Sequence, residues 1–407
     1  MAGMVIIGGG LAGATAAQTL REQGYQGEVT IIADEPHSPY QRPPLSKGFL
    51  KGDEGLDAVI LHPDDWYREQ NIDVRTSTAA TAIDPAAHQV TLSDGSTLAY
   101  DKLLLATGSS PRKLPIPGAD LPGVYMLRKL DDSEALKEQL SAGGKKLVLI
   151  GSGWIGMEVA ATAKQLGNDV VVLERDPVPL AIALGDDMGN VFRRMHEQNG
   201  IDLRTQVNVT SIAGTDRATG VIADGATVPA DLVLIGVGAI PNTKLAEDAG
   251  IDVERGILTD ASLRTSAPDV FAAGDVANAM HPILGQRMRS EHWANALGAG
   301  PVAAKAMLGQ DAVHDMIPYF YSDQFDLGME LSGYPPLMRD AQLVIRGDVA
   351  GREFIVFWVD GKKVIAGMNV NVWDVNETVQ KLVASHADVD LEALANPEVP
   401  LDSLVTA

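Results

Sequence analysis

Short apolar runs alternate with glycine-rich turns and amphipathic stretches in the first half of the chain. The run Val5 to Ile7 predicts a buried strand, Gly8 to Gly13 a turn, Ala14 to Gln23 a helix, and Val29 to Ile32 a second buried strand. This order of strand, glycine turn, helix and strand is typical of a dinucleotide-binding unit.

The same order recurs in the middle of the chain. Leu147 to Ile150 predicts the strand, Gly151 to Gly156 the turn, Met157 to Leu166 the helix, and Val170 to Leu173 the next strand. The two copies agree in length, order and residue type. We therefore predict an α/β fold with two Rossmann-like dinucleotide-binding domains.

Each copy continues into a predicted hairpin. Asp94-Gly95 and Asp224-Gly225 each lie between two short apolar runs, a pattern typical of tight turns between antiparallel strands. An apolar strand follows each hairpin and leads to glycine, at Gly108 in the first copy and at Gly236 and Gly238 in the second. The repeat therefore extends well beyond the glycine turns.

From about Pro318 the pattern changes. Gln342 to Arg346, Phe354 to Val359 and Val364 to Met368 are short apolar segments, and a charged turn separates the last two. This pattern predicts antiparallel strands. We expect a C-terminal α+β domain that serves dimerisation, covers a cofactor or docks a partner.

Composition narrows the class of protein. The net charge of −22 argues against nucleic acid as a partner, because phosphate binding needs a positive surface. No uncharged apolar stretch reaches the length of a membrane-spanning helix, and the N-terminus lacks the pattern of a secretory leader. We expect a cytoplasmic protein with no membrane segment.

The chain contains no cysteine. Disulfides, thiolate metal sites, bound iron–sulfur clusters and a redox-active dithiol are therefore all excluded. The eight histidines include no pair spaced by three or four residues, so we expect no metal site.

The first glycine turn predicts a phosphate-binding site. In Gly-x-Gly-x-x-Gly the first glycine makes a tight turn, the second lets the backbone approach a pyrophosphate, and the third permits close helix packing. Gly8, Gly10 and Gly13 fit this pattern. Asp34 ends the following strand, where a carboxylate accepts hydrogen bonds from ribose hydroxyls.

The second glycine turn fits equally well, with Gly151, Gly153 and Gly156 in the three places and Glu174 in the acidic place. A carboxylate there binds a free 2′-hydroxyl and repels the 2′-phosphate of NADPH, so NADH is favoured. The neighbouring Arg175 leaves a contact with adenine or phosphate open.

Several segments, taken in order, resemble the NADH-dependent ferredoxin reductases of bacterial haem monooxygenase and Rieske dioxygenase systems. They are Pro39 to Lys47, Ala106-Thr107-Gly108, Gly156-Met157-Glu158, Gly236-Val237-Gly238 with Pro241-Asn242, Ala273-Gly274-Asp275 and Tyr321 to Gln324. The resemblance spans nearly the whole chain and implies a glutathione-reductase-like fold. It implies FAD-binding parts at residues 1–109 and 244–317, an NADH-binding domain at 110–243 and a C-terminal domain at 318–407.

The resemblance also implies residues at the cofactors. Lys47 is expected to stabilise negative charge on reduced flavin and Glu158 to pair with it, so these two are the expected catalytic residues. Asp275 is expected on the ribityl chain of FAD, and Trp293 and Ala294 beside the flavin ring. The other residues expected to bind FAD or NADH are Gly8, Gly10, Leu11, Ala12, Gly13, Asp34, Arg42, Ala80, Thr107, Gly108, Arg128, Gly151, Gly153, Ile155, Gly156, Glu174, Gly236, Gly238 and Gly274.

The chain departs from the family in two places. Tyr321 stands where tryptophan is frequent, which leaves an aromatic electron relay open. An arginine that often follows the second acidic residue is missing from the segment 177–182, which weakens the implied contacts with NADH phosphate.

The implied function is transfer of hydride from NADH to FAD and of single electrons to an iron–sulfur ferredoxin, expected to be of the two-iron two-sulfur type. The ferredoxin would feed a monooxygenase or dioxygenase. This chemistry needs no thiol, whereas disulfide reductases and sulfenate peroxidases of similar fold do. Rubredoxin reductase, monodehydroascorbate reductase and a flavin-binding module like apoptosis-inducing factor stay open.

The ferredoxin partner sets a further expectation, because such ferredoxins are usually acidic and this chain is acidic too. Docking then requires a local basic patch. The candidates are Arg287, Arg289, Arg339, Arg346, Lys362 and Lys363. The chain is expected to be a monomer or a homodimer.

Overall fold

The structure is a computed structural model that describes residues 2–405. Contacts divide the chain into two compact units. Unit 1 comprises the residues up to Gln41, Leu56–Ser110 and Ile240–Pro318. Unit 2 comprises Arg42–Gly55, Pro111–Ala239 and the chain from Tyr319 onward.

The strands are numbered along the chain. They are β1 (Gly3–Ile7), β2 (Val29–Ile32), β3 (Ile72–Arg75), β4 (Ala80–Asp84), β5 (Gln89–Leu92), β6 (Thr97–Leu105), β7 (Ser109–Pro111), β8 (Val124–Tyr125), β9 (Lys146–Ile150), β10 (Asp169–Leu173), β11 (Asp202–Arg204), β12 (Val209–Gly214), β13 (Ala218–Ala223), β14 (Ala226–Pro229), β15 (Leu232–Ile235), β16 (Ala239–Pro241), β17 (Ile257–Thr259), β18 (Val270–Ala272), β19 (Ala277–His281), β20 (Gln286–Met288), β21 (Tyr319–Gln324), β22 (Leu327–Gly333), β23 (Gln342–Asp348), β24 (Glu353–Asp360) and β25 (Lys363–Val370). The helices are α1 (Leu11–Glu22), α2 (Gly48–Lys51), α3 (Asp64–Glu69), α4 (Leu130–Leu140), α5 (Trp154–Gln165), α6 (Ala181–Gln198), α7 (Lys244–Asp248), α8 (Trp293–Met307), α9 (Asn376–Ser385) and α10 (Leu391–Ala395).

Unit 1 is built on one sheet with the strand order β3-β2-β1-β6-β5-β4, and β18 also pairs with β6. β1 runs parallel to β2 and β6, and β18 runs parallel to β6. The carboxyl ends of these strands therefore meet at one edge of the sheet. Helices α1 and α8 pack closely because Gly300 has no side chain: a Cβ there would lie 2.1 Å from Thr15 Oγ1.

Unit 2 contains a parallel sheet with the order β11-β10-β9-β15-β8 and a five-stranded antiparallel sheet with the order β21-β22-β25-β24-β23. The buried face of the antiparallel sheet shares one apolar core with the parallel sheet and its helices, through residues such as Leu149, Phe192, Met329 and Phe354. A small antiparallel sheet of β12, β13 and β14 completes the unit.

The structure confirms the α/β fold, the paired strand–turn–helix units and the Asp-Gly hairpins. Both nucleotide helices begin three residues earlier than predicted, at Leu11 and Trp154, because the glycine turn itself enters the first helical turn. The hairpins also differ in continuity. In the first copy β6 runs unbroken into the buried strand, whereas the second copy has separate strands β14 and β15.

The compact units do not follow the four predicted domains one to one. Residues 42–55, expected in the first FAD-binding part, belong to unit 2 together with the C-terminal strands. Hydrogen bonds hold this segment there: the Thr162 hydroxyl donates to the Ser46 carbonyl and the Ser133 hydroxyl donates to the Leu45 carbonyl. The four functional domains stay a prediction.

Candidate cofactor and catalytic site

The first glycine turn lies where β1 meets α1 in unit 1. Gly8 has φ = +127°, and a Cβ there would lie 2.0 Å from the carbonyl oxygen of Ala106. A Cβ on Gly13 would lie 2.2 Å from the carbonyl oxygen of Gly8. The first and third glycines are therefore required by the packing of the turn itself.

The second glycine turn repeats this packing in unit 2, between β9 and α5. Gly151 has φ = +99°, and a Cβ there would lie 2.4 Å from the carbonyl oxygen of Gly236. A Cβ on Gly156 would lie 2.6 Å from the carbonyl oxygen of Gly151. The two copies thus agree in backbone geometry as well as in sequence.

The middle glycines behave differently. Gly10 and Gly153 have ordinary negative φ values of −86° and −69°, and no protein atom lies within 4 Å of the place a Cβ would take. By contrast Gly24 and Gly167, which are equally open, both have φ = +82°. Neither sterics nor backbone strain within the chain explains glycine at the two middle positions.

An anion bound at each helix N-terminus would explain it. Gly10 and Gly153 are the N-caps of α1 and α5, and no side chain caps either helix. The first backbone N–H groups of both helices are therefore available to an anion, and the missing Cβ leaves room for it to approach. The residues present fit a pyrophosphate at each helix, as FAD and NADH would supply.

Residues expected on FAD surround the first turn in unit 1. A Cβ on Gly274 would lie 3.1 Å from the Cβ of Ala12, so the Gly274–Val276 turn lies beside the start of α1. Asp275 is buried, and its Oδ2 accepts a hydrogen bond of 2.8 Å from the Ser109 hydroxyl. The carboxylate of Asp275 is therefore held next to the first glycine turn.

Thr107 and Gly108 follow β6 at the same edge of the sheet. The Thr107 hydroxyl donates to the carbonyl oxygen of Asn242 at 2.8 Å, and the Asn242 amide donates back to the Thr107 carbonyl at 2.8 Å. Gly108 has φ = +65°, a left-handed backbone conformation that favours glycine. Asn242 thus fixes the loop that carries both expected residues.

The remaining expected FAD residues of unit 1 lie at strand and helix ends. Asp34 is exposed just after β2, and Ala80 is half-buried at the start of β4. Leu11 and Ala294 are buried in the first turns of α1 and α8. Trp293 begins α8, and its indole N–H donates to Gln41 Oε1 at 3.3 Å.

Glu174 follows β10 and turns back onto the second glycine turn. Its Oε2 accepts hydrogen bonds from the backbone N–H of Ser152 at 2.7 Å and from the Ser152 hydroxyl at 2.6 Å. Gly236 follows β15, and its N–H donates to the Ile150 carbonyl at 2.9 Å. Glu174, Gly151 and Gly236 are therefore neighbours at the carboxyl edge of the parallel sheet.

Four further residues expected at the cofactors also lie in unit 2. The Arg42 guanidinium donates a hydrogen bond to the backbone carbonyl of Arg128, so these two residues are in contact. Ile155 lies in the first turn of α5 and is 45% exposed. Gly238 is exposed with φ = +101°.

The two expected catalytic residues form an ion pair. Lys47 Nζ lies 2.8 Å from Glu158 Oε2, and the side chains are 19% and 2% exposed. The Ser46 hydroxyl donates to the same oxygen at 2.5 Å, and the Ser322 hydroxyl donates to Glu158 Oε1 at 2.7 Å. The three donors fix the position of the buried Glu158 carboxylate, which in turn holds the lysine ammonium in place.

Lys47 also contacts Tyr321. The ammonium lies 5.6 Å from the centre of the Tyr321 ring, a distance at which a cation is attracted to an aromatic face. Partial burial raises the pKa of the Tyr321 hydroxyl, and the nearby Asp323 and Glu158 raise it further. The tyrosine is therefore neutral at pH 7.

Sequence reasoning missed five polar partners of the site, namely Ser46, Ser109, Ser152, Asn242 and the hydroxyl of Ser322. Each forms its bond through the tertiary fold rather than along a helix or strand. Ser46, Asn242 and Ser322 lie in segments that carry the family resemblance, and Ser109 directly follows one; that resemblance was the available signal. Ser152 occupies a variable position of the glycine motif and gave none.

Metal-binding clusters and membrane-spanning helices are both absent from the residues that the structure describes. Within residues 2–405, no group of three or more histidine, aspartate or glutamate side chains is arranged to hold a metal ion. In the same part of the chain, no helix has the length and apolarity needed to cross a membrane.

Comparison with known proteins places this geometry in a family. Residues 3–300 match the family described as pyridine nucleotide-disulphide oxidoreductase, and residues 319–405 match the reductase C-terminal domain. The chain belongs to the pyridine nucleotide-disulphide oxidoreductase family. Because this chain has no cysteine, the disulphide in the family description does not apply to its own chemistry.

Individual relatives agree with that assignment. The chain is 37% identical to a probable ferredoxin reductase of Castellaniella defragrans over 98% of each chain. It is 35% identical to the ferredoxin–NAD(+) reductase component of the anthranilate 1,2-dioxygenase system of Burkholderia cepacia, again over 98% of each. Among solved structures, the covalent putidaredoxin reductase–putidaredoxin complex matches with a TM-score of 0.95 and 33% identity, over 99% of this chain and 98% of that one. The resemblance stated from the sequence is confirmed.

Proposed function

We propose that this protein is an NADH-dependent FAD flavoprotein that reduces an iron–sulfur ferredoxin of an oxygenase system. The observation that carries the proposal is the pair of open glycines, Gly10 and Gly153, at the uncapped starts of two matching helices. Two phosphate-binding sites in one chain fit one bound dinucleotide cofactor and one dinucleotide substrate. The relatives that act on ferredoxins supply the acceptor.

The residues divide between the two nucleotides. In the proposal, the turn of Gly8, Gly10 and Gly13 holds the FAD pyrophosphate and Asp275 the ribityl chain, while Trp293 and Ala294 lie beside the flavin. The turn of Gly151, Gly153 and Gly156 holds NADH, and Glu174 receives its ribose hydroxyls. Arg42, Lys47, Arg128 and the other residues expected at the cofactors complete the two sites.

Bound FAD supplies the redox chemistry, since it accepts two electrons with a hydride from NADH and passes them on one at a time. One NADH therefore reduces two ferredoxins, and one proton is released. The chain's own residues bind and orient the nucleotides, and Lys47 holds a positive charge where reduced cofactor carries negative charge. No thiol takes part, which agrees with a chain that has no cysteine.

The other functions considered from the sequence are less favoured. Rubredoxin reductase, monodehydroascorbate reductase and a flavin-binding interaction module each share the fold, but the named relatives reported above are ferredoxin reductases. The finer parts of the proposal are a two-iron two-sulfur ferredoxin, a monomeric or homodimeric reductase and a cytoplasmic location.

Steady-state kinetics with a two-iron two-sulfur ferredoxin and cytochrome c test the proposal. The FAD-loaded protein should reduce ferricyanide with NADH directly, and should reduce cytochrome c only when the ferredoxin is present. A protein that oxidises NADH with ferricyanide but reduces no ferredoxin from a panel would contradict the acceptor. A folded protein that cannot take up FAD would contradict the whole proposal.

A further inference from the structure

The Lys47–Glu158 ion pair is the end of a longer buried chain of hydrogen bonds. Ser322 Oγ, which contacts Glu158 Oε1 at 2.7 Å, lies 3.0 Å from the amide nitrogen of Gln324. The amide oxygen of Gln324 lies 2.8 Å from His196 Nε2. Glu158, Ser322, Gln324 and His196 are each at most 2% exposed, so water does not compete for these bonds.

The protonation state of His196 fixes which group donates and which accepts in each of these hydrogen bonds. Burial lowers the pKa of His196 to about 4, so the ring is neutral at pH 7 and carries one proton. Nδ1 of His196 has no hydrogen-bond partner within residues 2–405. A proton on Nδ1 would leave a buried donor unsatisfied, so the proton belongs on Nε2, where Gln324 accepts it.

The donor and acceptor roles of Gln324 and Ser322 follow from this assignment, up to the bond with Glu158. With its oxygen occupied by His196, Gln324 must present its NH₂ group to Ser322. The Ser322 hydroxyl accepts that bond and has one proton left, which it donates to Glu158. If the amide of Gln324 were turned over, its oxygen would compete with Glu158 for the single proton of Ser322.

We propose that His196 and Gln324 are positioning residues that act through Ser322 to hold the Glu158 carboxylate and so the ion pair with Lys47. The inference rests on the proposed function, in which this pair serves hydride transfer from NADH. Neither His196 nor Gln324 touches Lys47, and their effect passes through the hydrogen bonds alone.

The proton position can be measured in the unmodified protein. Long-range ¹H–¹⁵N correlation spectra of the histidine rings should show His196 protonated at Nε2 at pH 7, with the signal assigned by its loss in His196→Gln. A ring protonated at Nδ1 overturns the proposal, whatever the enzymatic rates. This readout needs no turnover and no change in the unmodified protein beyond isotope labelling.

The kinetic test compares a variant that lacks the donor with one that keeps it. We expect His196→Phe to slow flavin reduction by NADH, measured by stopped flow, roughly tenfold. His196→Gln should keep the rate within about twofold of the parent, because glutamine again donates to Gln324. The NADH dissociation constant should not change. Ser322→Ala, which removes the donor to Glu158 directly, should be as slow as His196→Phe.

A matched control exists in unit 1, where Nε2 of the buried His314 lies 2.9 Å from the side-chain oxygen of Asn295. His314→Phe should lower the unfolding temperature without slowing flavin reduction. If Lys47→Met and Glu158→Gln do not slow it either, the proposed function of the pair is wrong. If Lys47→Met and Glu158→Gln slow flavin reduction while His196→Phe is as fast as the parent, His196 and Gln324 are not positioning residues. The same conclusion follows if His196→Gln is as slow as His196→Phe.

Discussion

Glu174 is hydrogen-bonded to Ser152 through both the backbone N–H, at 2.7 Å, and the hydroxyl, at 2.6 Å. Its second oxygen accepts the N–H of Asp176 at 2.9 Å. The carboxylate is therefore fixed beside the glycine turn by the protein alone. A fixed carboxylate can bind a ribose hydroxyl without first being ordered, and it cannot move away from a 2′-phosphate.

The first prediction is that NADH is preferred over NADPH and that Glu174→Ala narrows this preference. A lost charge-assisted contact costs on the order of 1 to 3 kcal/mol, so the ratio of kcat/KM values should fall about 5- to 150-fold. Asp169→Ala is the control, because Asp169 is an exposed carboxylate at the opposite end of the same strand. Equal efficiency of the parent enzyme with NADPH would contradict the prediction.

The second prediction separates the two nucleotide sites. Gly10→Val should fold but fail to retain FAD, because the added side chain fills space that the protein itself leaves open. Gly153→Val should stay yellow with bound FAD, but NADH should no longer reduce it, whereas dithionite should. Absorbance at the flavin band and circular dichroism of both variants check this.

Each of these variants is the control for the other, since both place valine at an N-cap with similar backbone angles. Their effects on helix stability should therefore be comparable. If Gly10→Val retains FAD, or if Gly153→Val is reduced by NADH at the parent rate, the assignment of the corresponding turn is wrong.

The paired turns could be predicted from sequence because their information is local. Glycine spacing, apolar periodicity and the Asp-Gly hairpins each lie within short stretches, and the structure confirms them. The antiparallel strands β23, β24 and β25 were likewise visible as short apolar segments. Strands β21 and β22 were not predicted as strands, because each contains polar residues or glycine among its apolar residues.

The polar partners of the site could not be predicted in this way. Ser46 and Ser322 are 112 and 164 residues from Glu158 in sequence, and serine is too common to signal such a contact. The pairing of Lys47 with Glu158 came from family resemblance and not from any pattern. Glu174 was predicted as the ribose ligand, but its bond to Ser152 could not be predicted, because it requires that β9 and β10 be neighbours.

The third prediction concerns acid stability. Burial lowers the pKa of His196 and of His314 to about 4. In the unfolded chain histidine titrates near pH 6.5, so the unfolded state binds protons that the native state excludes as the pH falls from about 6.5 to about 4. The stability that these neutral rings provide is complete above that window and is lost within it.

Each of the two histidines should remove on the order of 2 kcal/mol of unfolding free energy between pH 7 and pH 5. Urea unfolding at both pH values should therefore show a smaller loss in His196→Gln and His314→Gln than in the parent. His386→Asn, at an exposed position with φ = +51°, should lose as much as the parent. Equal losses in all four proteins would show that the buried rings do not control acid stability.

The basic residues expected to dock a ferredoxin fall into two groups. In the first group the charged side chains have partners in the same protein. Arg287 donates to the carbonyls of Thr259 and Asn278, and Arg346 donates to those of Pro397 and Val399. Arg289 forms an ion pair with Glu291. The second group is exposed and comprises Arg339, Lys362 and Lys363. Lys362 and Lys363 lie at the turn between β24 and β25.

The last prediction follows from this division. Charge reversal of Arg339 or Lys362 should raise the KM for an acidic ferredoxin roughly 3- to 10-fold at low salt, and the effect should shrink at high salt as the charges are screened. Reduction of ferricyanide by NADH should not change, because a small acceptor needs no docking surface.

Arg287→Glu and Arg346→Glu should instead lower the unfolding temperature, since each leaves backbone carbonyls without their donor. Lys145→Glu makes the same charge change at another exposed site and should leave the KM for ferredoxin unaltered. If Arg339→Glu, Lys362→Glu and Lys363→Glu all behave like Lys145→Glu, the ferredoxin docks on another surface.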